Sequence, residues 1–516
     1  MKHLSKILVG LLLASAAACS VGPDYEKPTA PTQAAFKEQA GWKASAPKDD
    51  IDRGPWWKVY NDPVLDGLEK RIEISNQNLK AAEAAYRQSR AVVDQARASF
   101  LPTISGDFSG TRSHSGGGSS SRGSGFNTGS GIISLGGRSS TENSYSTSVG
   151  ASWDIDVWGR IRRTVESDVA TAQASAADLA SARLSAQSTL AIDYFQLRYQ
   201  EQLRRLLDTT AQDFTRSLQI AQNQYNAGVA AKADVLTAQT QLLNAQASAI
   251  NSGVQRATLE HAIAVLVGKP PADFSIAPTG LPAAVPVVPT GLPSTLLERR
   301  PDIASSERKM ASANAQIGVA IAAYFPDLTL TPSFGFSGSN LGHLIGSATN
   351  VWSLGASVTE SIFDAGARSA QVEQARAFYE ENVADYRQTV LTGFQQVEDE
   401  LAALRILEQQ AAVEDQTVKT AQEAERLTLN QYKAGTVPYS SVITAQTTAL
   451  STEETAINVL QNRLTASVTL IEAVGGGWDA SKLPRTDQVE DNWSFLKIVP
   501  ITTEHPTSSD EEPVKQ

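Results

Sequence analysis

The stretch Tyr145 to Val157, YSTSVGASWDIDV, alternates strictly. Tyr145, Thr147, Val149, Ala151, Trp153, Ile155 and Val157 fall on one face. Ser146, Ser148, Gly150, Ser152, Asp154 and Asp156 fall on the other. Period two means a strand with one apolar and one polar face. At about 3.3 Å per residue the stretch reaches roughly 43 Å, and about 9 to 11 tilted residues suffice to cross a bilayer as a barrel strand. A second copy lies downstream: Trp352, Leu354, Ala356 and Val358 face one way, and Ser353, Gly355, Ser357 and Thr359 the other. After each copy the chain enters a very long helical stretch.

From Arg160 to Asn226 there is no proline or glycine. Leu203, Leu207, Ala211, Phe214, Leu218, Ala221 and Tyr225 recur in alternating steps of four and three, a coiled-coil seam. Helical throughout, that span is roughly 100 Å long, whereas a globular helix averages about 12 residues. Ala227-Gly228 breaks it, and a second helix is expected over 233–267.

The pattern then repeats. Asn78-Leu79 and Phe100-Leu-Pro102 match Asp302-Ile303 and Tyr324-Phe325-Pro326, both 224 residues on. Asn223-Gln-Tyr-Asn-Ala-Gly228 matches Asn430-Gln-Tyr-Lys-Ala-Gly435, and Thr237-Ala-Gln-Thr240 matches Thr444-Ala-Gln-Thr447, both 207 residues on. The offset changes in the loop between paired strands, where length varies freely. The expected organisation is a signal peptide at 1–18, an extended segment at 19–62, repeat 1 at 63–267, a proline-rich linker at 268–293, repeat 2 at 294–474 and a C-terminal segment at 475–516. Repeat 1 holds a helix over 63–100, strands at 103–110 and 145–157, a loop over 111–143 and the two helices above. Repeat 2 holds a helix over 294–323, strands at 328–336 and 351–362, and helices over 367–433 and 440–473. The tail 501–516 reads as disordered.

The formal charge of -11 argues against a nucleic-acid surface. Five scattered histidines and one cysteine give no metal-ligand spacing and no internal disulfide. No nucleotide loop, nucleophile elbow or catalytic cluster is present, so the chain reads as a non-enzyme with no cofactor and no metal. Lys2, His3 and Lys6 precede an apolar run, Ile7 to Ala18, a secretory signal too short to span a membrane as a helix. Cys19 follows directly, as at a bacterial lipoprotein cleavage site, so N-acyl and S-diacylglycerol groups are expected on it. Ser20 after it suggests export to the outer membrane.

Four strands per chain cannot close a barrel, for which about eight is the practical minimum. An open sheet in lipid leaves unpaired backbone groups at several kcal/mol each. The fold class is therefore an α+β membrane protein whose barrel is shared among copies of the chain.

Specific residues carry a family resemblance. They are Cys19-Ser-Val-Gly-Pro-Asp-Tyr25, Trp56-Trp57 ahead of Asp62-Pro63, Asn78-Leu79, Trp153-Asp-Ile-Asp-Val-Trp-Gly159, Leu297-Glu-Arg-Arg-Pro-Asp302, Tyr432-Lys-Ala-Gly435 and Gly475-Gly-Gly-Trp478. With them the chain resembles the TolC superfamily of outer-membrane channel-tunnels, in its lipoprotein branch (OprM-like, NodT family) serving RND efflux systems. The resemblance implies a homotrimer with a twelve-stranded β-barrel, a long periplasmic α-helical coiled-coil tunnel, and a periplasmic adaptor and inner-membrane RND pump as partners. It implies a lipid-anchored protein of the Gram-negative outer membrane that extends into the periplasm.

A conduit works by geometry, a wet lumen and a closable end. Ser152, Asp154, Asp156 and Ser357 are expected to face the lumen. Trp153, Trp158 and Trp352 are expected in an interfacial aromatic belt. The turns Ala227-Gly228 and Ala434-Gly435 are expected at the periplasmic tip, where an adaptor docks. Asp234 and Tyr432 match the family's gate-lock residues. Two aspartates that narrow the lumen in the best-known member fall on Ser441 and Thr444, so no carboxylate ring carries over. The functional expectation is the exit duct of an efflux pump for drugs or small solutes. The alternatives are a duct for type I protein secretion, and a non-porous periplasmic coiled-coil scaffold.

Overall fold

The computed structural model describes residues 20–31, 35–39, 55–115, 140–288, 296–346 and 348–490. The signal segment, Cys19 and the tail 501–516 lie outside the described residues. The chain divides into a helical unit, 1–91, 157–326 and 360–485, and a strand unit, 92–156, 327–359 and 486–516.

In the strand unit, β1 (Thr103–Ser115), β2 (Ser140–Asp154), β3 (Asp327–Gly338) and β4 (Asn350–Thr359) form one antiparallel sheet in sequence order. Register sorts the side chains. Ile104 pairs with Ala151, Phe108 with Thr147, Val149 with Phe334, Trp153 with Leu330, and Phe334 in turn with Trp352. Directly opposed residues share a face, so one continuous apolar face crosses all four strands. The other face is mainly serine, threonine, glycine and aspartate, with Glu142 and Val351 among them.

The first hairpin departs from expectation. β1 and β2 run on to Ser115 and Ser140, through residues expected to be loop. Composition misled here, because cross-strand pairs such as His114 Nδ1 with Thr141 Oγ1 (2.9 Å) sustain the ladder without apolar alternation. At the other end β2 stops at Asp154, so Asp156 is not a strand residue. Ile155 makes the last sheet bond, N to Leu328 O at 2.9 Å, and the chain then turns into a helix. β4 likewise ends at Thr359 rather than 362.

In the helical unit α1 (Pro63–Ser75) and α2 (Gln77–Ala98, counted there as far as Ala91) replace the single helix expected there. Asn76 takes extended backbone and caps α2, accepting from Leu79 N (3.1 Å) while donating to Leu266 O (2.8 Å). Next come α3 (Arg160–Asn226, 67 residues) and α4 (Lys232–Leu266). Repeat 2 supplies α5 (Pro301–Ala322), α6 (Ala367–Lys433, 67 residues) and α7 (Tyr439–Ala473). Ahead of α5 a single turn, Leu296–Arg299, is split off by Arg300, which precedes a proline and is extended (φ −98°, ψ 122°).

The core forms where these helices converge. Leu190, Tyr194, Phe195 and Leu197 of α3 meet Ile263, Ile303, Met310, Tyr386, Val397, Leu401, Leu464 and Leu470, all within one buried cluster. Trp56 and Trp57 are buried in it, as are Leu65, Leu68 and Ile72. Trp57 Nε1 donates to Asp66 at 3.0 Å and Tyr60 shares a 2.7 Å hydrogen bond with Ser467. The linker is anchored as well. Arg256 donates to Ile276 O (2.6 Å), Arg198 donates to Ala277 O (2.8 Å) and the Glu201 carboxylate accepts from Thr279 N (2.9 Å). The N-terminal segment is strapped down by Arg163, which donates to Val21 O, Gly22 O and Asp24, and by Tyr25, which donates to Glu307 at 2.5 Å.

Glu69 of α1 is fully buried, and both its oxygens lack a hydrogen-bond partner among the described residues. Burial first, then the charge of Glu73, pushes its carboxyl up to about 9. The folded state therefore holds a proton that the unfolded chain releases near pH 4.3. Stability from this group is complete below that value and declines as pH rises toward about 9. Glu69→Gln should abolish the decline, so that the variant's advantage in urea midpoint grows between pH 5 and pH 9.

Candidate functional site: conduit faces and helix tips

The polar face of the sheet holds three of the four expected lumen residues. Ser152, Asp154 and Ser357 stand on it, exposed. Asp154 Oδ1 accepts from Thr329 Oγ1 at 2.8 Å, and the pairs Ser109–Ser146 and Ser333–Ser353 share hydroxyl bonds of 2.8 Å. On the apolar face Trp153 is 37% and Trp352 72% exposed. Trp153 Nε1 donates to Phe100 O at 2.9 Å, so its ring is held at a fixed height. Trp158 lies past the strand end, in the helical unit. It stacks on Phe325 (4.7 Å between centroids) and donates to Pro326 O at 2.9 Å, a packing position.

Both units carry unsatisfied edges. Among the described residues β1 pairs only with β2 and β4 only with β3, so each leaves one side of its backbone without a strand partner there. Among the helices, α3 packs on α4, α6 on α7, and α3 on α7. The outer flanks of α4 and α6 carry exposed apolar residues at heptad spacings: Leu236, Leu243 and Ile250, each seven apart, on one, and Ile406, Val413 and Leu427, seven and fourteen apart, on the other. All six are exposed, Ile250 by 76%. Heptad spacing is the signature of a coiled-coil seam without its partner.

The tip turns share one geometry. Gly228 N donates to Tyr225 O and Val229 N to Gln224 O; Gly435 N donates to Tyr432 O and Thr436 N to Gln431 O. These are Schellman closures, in which the residue past the cap takes left-handed backbone. Gly228 (φ +77°) and Gly435 (φ +74°) do so with open space around them.

Behind the turns lies a small second core: Ala221, Val235, Ala238, Tyr432, Tyr439 and Val442. Tyr432 and Tyr439 rings sit 5.2 Å apart. Asp234 is close enough for its charge to bear on both phenols. Burial, then that charge, raises the Tyr432 pKa. Burial, then Tyr432 and Asp234, pushes Tyr439 up to about 12. The structure thus brings Asp234 and Tyr432 together, but the buried Tyr432 hydroxyl has no hydrogen-bond partner among the described residues. Tyr439 escaped the sequence reading, because it meets Tyr432 only across the turn that separates their helices. Nearby, Gln446 Nε2 donates to Ser217 Oγ at 3.0 Å in a buried link between α7 and α3. Ser441 and Thr444 sit in the first turns of α7 and put no carboxylate there.

The sheet, the paired long helices and the twofold internal repeat define the outer membrane efflux protein class. The model of the family described as outer membrane efflux protein matches residues 69–269 and 292–476, and the chain belongs to that family. The probable efflux pump outer membrane protein TtgC of Pseudomonas putida is 30% identical over 477 residues, covering 89% of this chain and 93% of that protein. The pyoverdine export outer membrane protein OpmQ of Pseudomonas aeruginosa is 31% identical over 490 residues, covering 93% of this chain and 98% of that protein. Among solved structures, the open state of the MtrE outer membrane channel of Neisseria gonorrhoeae superposes with a TM-score of 0.75 at 27% identity. It covers 90% of this chain and 99% of that one. The chain is an outer-membrane efflux protein.

A Tyr432 hydroxyl without a partner predicts that Tyr432→Phe leaves stability within about 0.5 kcal/mol of the parent. Gly435→Ala must hold an alanine in left-handed backbone, at about 1 kcal/mol. Hydrogen exchange at the tip amides should rise several-fold in Gly435→Ala and stay unchanged in Tyr432→Phe.

Proposed function

We propose that three copies of this chain form a passive duct, with a twelve-stranded barrel through the outer membrane and a helical tunnel in the periplasm. The observation that carries the reading is a four-stranded sheet with one continuous apolar face and two open edges. From Tyr145 to Trp153 the apolar face runs roughly 27 Å along the strand, or about 20 Å of height at the usual tilt of about 35–45°, against an apolar band about 25 Å tall in outer-membrane barrels. Because the sheet is antiparallel throughout, β4 of one copy meets β1 of the next antiparallel. Eight strands from two copies would enclose a space filled by side chains. Twelve strands from three copies leave a lumen lined by the small polar residues of the second face.

The apolar stripes on α4 and α6 support the same count of neighbours: each copy offers one stripe on either flank. Lumen lining falls to Ser152, Asp154 and Ser357. Trp153 and Trp352 stand in the interfacial belt, and Cys19 carries the acyl anchor. The tips at Ala227-Gly228 and Ala434-Gly435 meet the periplasmic adaptor of an RND-type pump, and the tyrosine cluster with Asp234 closes that end. No residue acts as a catalyst; the pump supplies the energy. The cargo is drugs or small solutes; of the relatives above, OpmQ is named for pyoverdine export.

Ile250→Glu together with Val413→Glu places charges in the proposed seams without touching the chain's own core. Native mass in detergent should fall from trimer to monomer while helicity is retained; an unchanged trimer would remove the seams from the reading. Deleting the gene should lower tolerance to solvents, dyes and antibiotics at least several-fold. Unchanged tolerance with loss of a secreted protein would instead favour the type I secretion duct.

A further inference from the structure

The two hairpins obey one rule. Adding 224 to each β1 residue and 207 to each β2 residue converts the β1–β2 register into the β3–β4 register. Ile104 opposite Ala151 becomes Leu328 opposite Val358, and Thr103 opposite Ser152 becomes Asp327 opposite Thr359. The repeat seen in the sequence is therefore a repeat of hydrogen-bond register. The joint between the hairpins, β2 to β3, is also known: Gly150 faces Ser333, Ser148 faces Gly335, and Ser146 faces Ser337.

The joint between copies is the same joint one repeat further on. From the rule we infer that β4 of one copy pairs with β1 of the next with Ser357 opposite Ser109. Gly355 then stands opposite Thr111, Ser353 opposite Ser113 and Trp352 opposite His114. This rests on the trimeric reading above and adds to it the register at which the barrel closes.

Three observations support it. First, the transposed register brings Ser353, Gly355 and Ser357 to the same face as Ser113, Thr111 and Ser109; a one-residue slip would turn a whole strand over. Second, each joint sets one glycine against a larger residue at this position. At the β2–β3 joint a Cβ on Gly335 would lie 2.8 Å from Ser148 Cβ and 2.4 Å from Thr147 O. At the transposed position Thr111 stands where Gly335 stood and Gly355 where Ser148 stood, which removes the contact between side chains. The contact with backbone oxygen is not removed, so the strands of the joint between copies stand further apart there than β2 and β3 do. Third, Pro332 interrupts the inner joint, where Ala151 and Ser152 have no partners on β3. A proline has no N–H to give to a ladder. Its counterpart in β1 is Phe108, so the joint between copies has its full set of donors. Following one row, Ser105, Gly150, Ser333 and Ser353, the chain of pairs returns on the next copy at Ser113. That stagger tilts the strands across the barrel wall.

Disulfide trapping tests the register, because a bond forms only when Cα atoms lie about 4.4–6.8 Å apart, and residues one pair off lie at about 7–8 Å. The double variant Ser357→Cys/Ser109→Cys should give covalent dimers and trimers on non-reducing gels after mild oxidation, lost on adding a thiol. Ser357→Cys/Asp107→Cys and Ser357→Cys/Thr111→Cys should give at least ten-fold less. The four single variants control for Cys19. Stronger trapping at Asp107 or Thr111, or trapping at none of the three in a chain whose native mass is trimeric, overturns the register and leaves the trimer standing. A monomeric native mass overturns both.

Discussion

Unpaired backbone is what the rest of the molecule answers to. Every N–H and C=O of a membrane-crossing segment must find a partner within protein, since lipid offers none. The four strands satisfy one another through the interior of the sheet and leave two outer rows unsatisfied, on β1 and on β4. No rearrangement of a single chain removes those rows, because four strands are too few to curl closed. On the barrel proposed above, association would be a condition of stability in the membrane rather than an addition to it.

The helical unit meets the equivalent problem with side chains in place of backbone. Its thick core, from Trp57 to Leu470, satisfies itself. Away from that core each helix pair is held by narrow seams such as Ala221, Val235 and Ala238 with Tyr432 and Val442. A narrow seam stabilises only what it touches, so the outer flanks of α4 and α6 are left with Ile250, Val413 and their heptad neighbours in water. The neighbours that would cover them are the same copies that would complete the sheet. Two unrelated forces, backbone pairing in lipid and apolar burial in water, ask for one partner.

Much of this was legible because periodicity is a direct imprint of environment. The apolar face of β2 and the unbroken run from Arg160 to Asn226 could be read residue by residue. The misses have a common cause. Asn76 breaks a helix through its own side-chain caps, and Thr141 and His114 extend a strand through one cross-strand pair; neither leaves a periodic trace. The tip was half legible. Asp234 and Tyr432 were found by resemblance, whereas Tyr439 gains its meaning from the turn that folds α7 back beside α6, and no local pattern records that. Glu69 was not legible at all, since a carboxylate on an amphipathic helix reads as solvent-facing until its surroundings are known.

The internal repeat explains why small asymmetries matter. Two copies of one hairpin make two kinds of joint: one inside the chain, formed as soon as the chain folds, and one that waits for a neighbour. The inside joint can tolerate a defect, because the connection through α3 to α5 keeps its two hairpins at high effective concentration. Pro332 sits there and removes bonds from the ladder. The outer joint has no such tether, and its strength must come from the joint itself. In the register inferred above, Phe108 in place of Pro332 would give that joint its donors. The two halves have diverged least in register and most in the residues that decide which joint can stand alone.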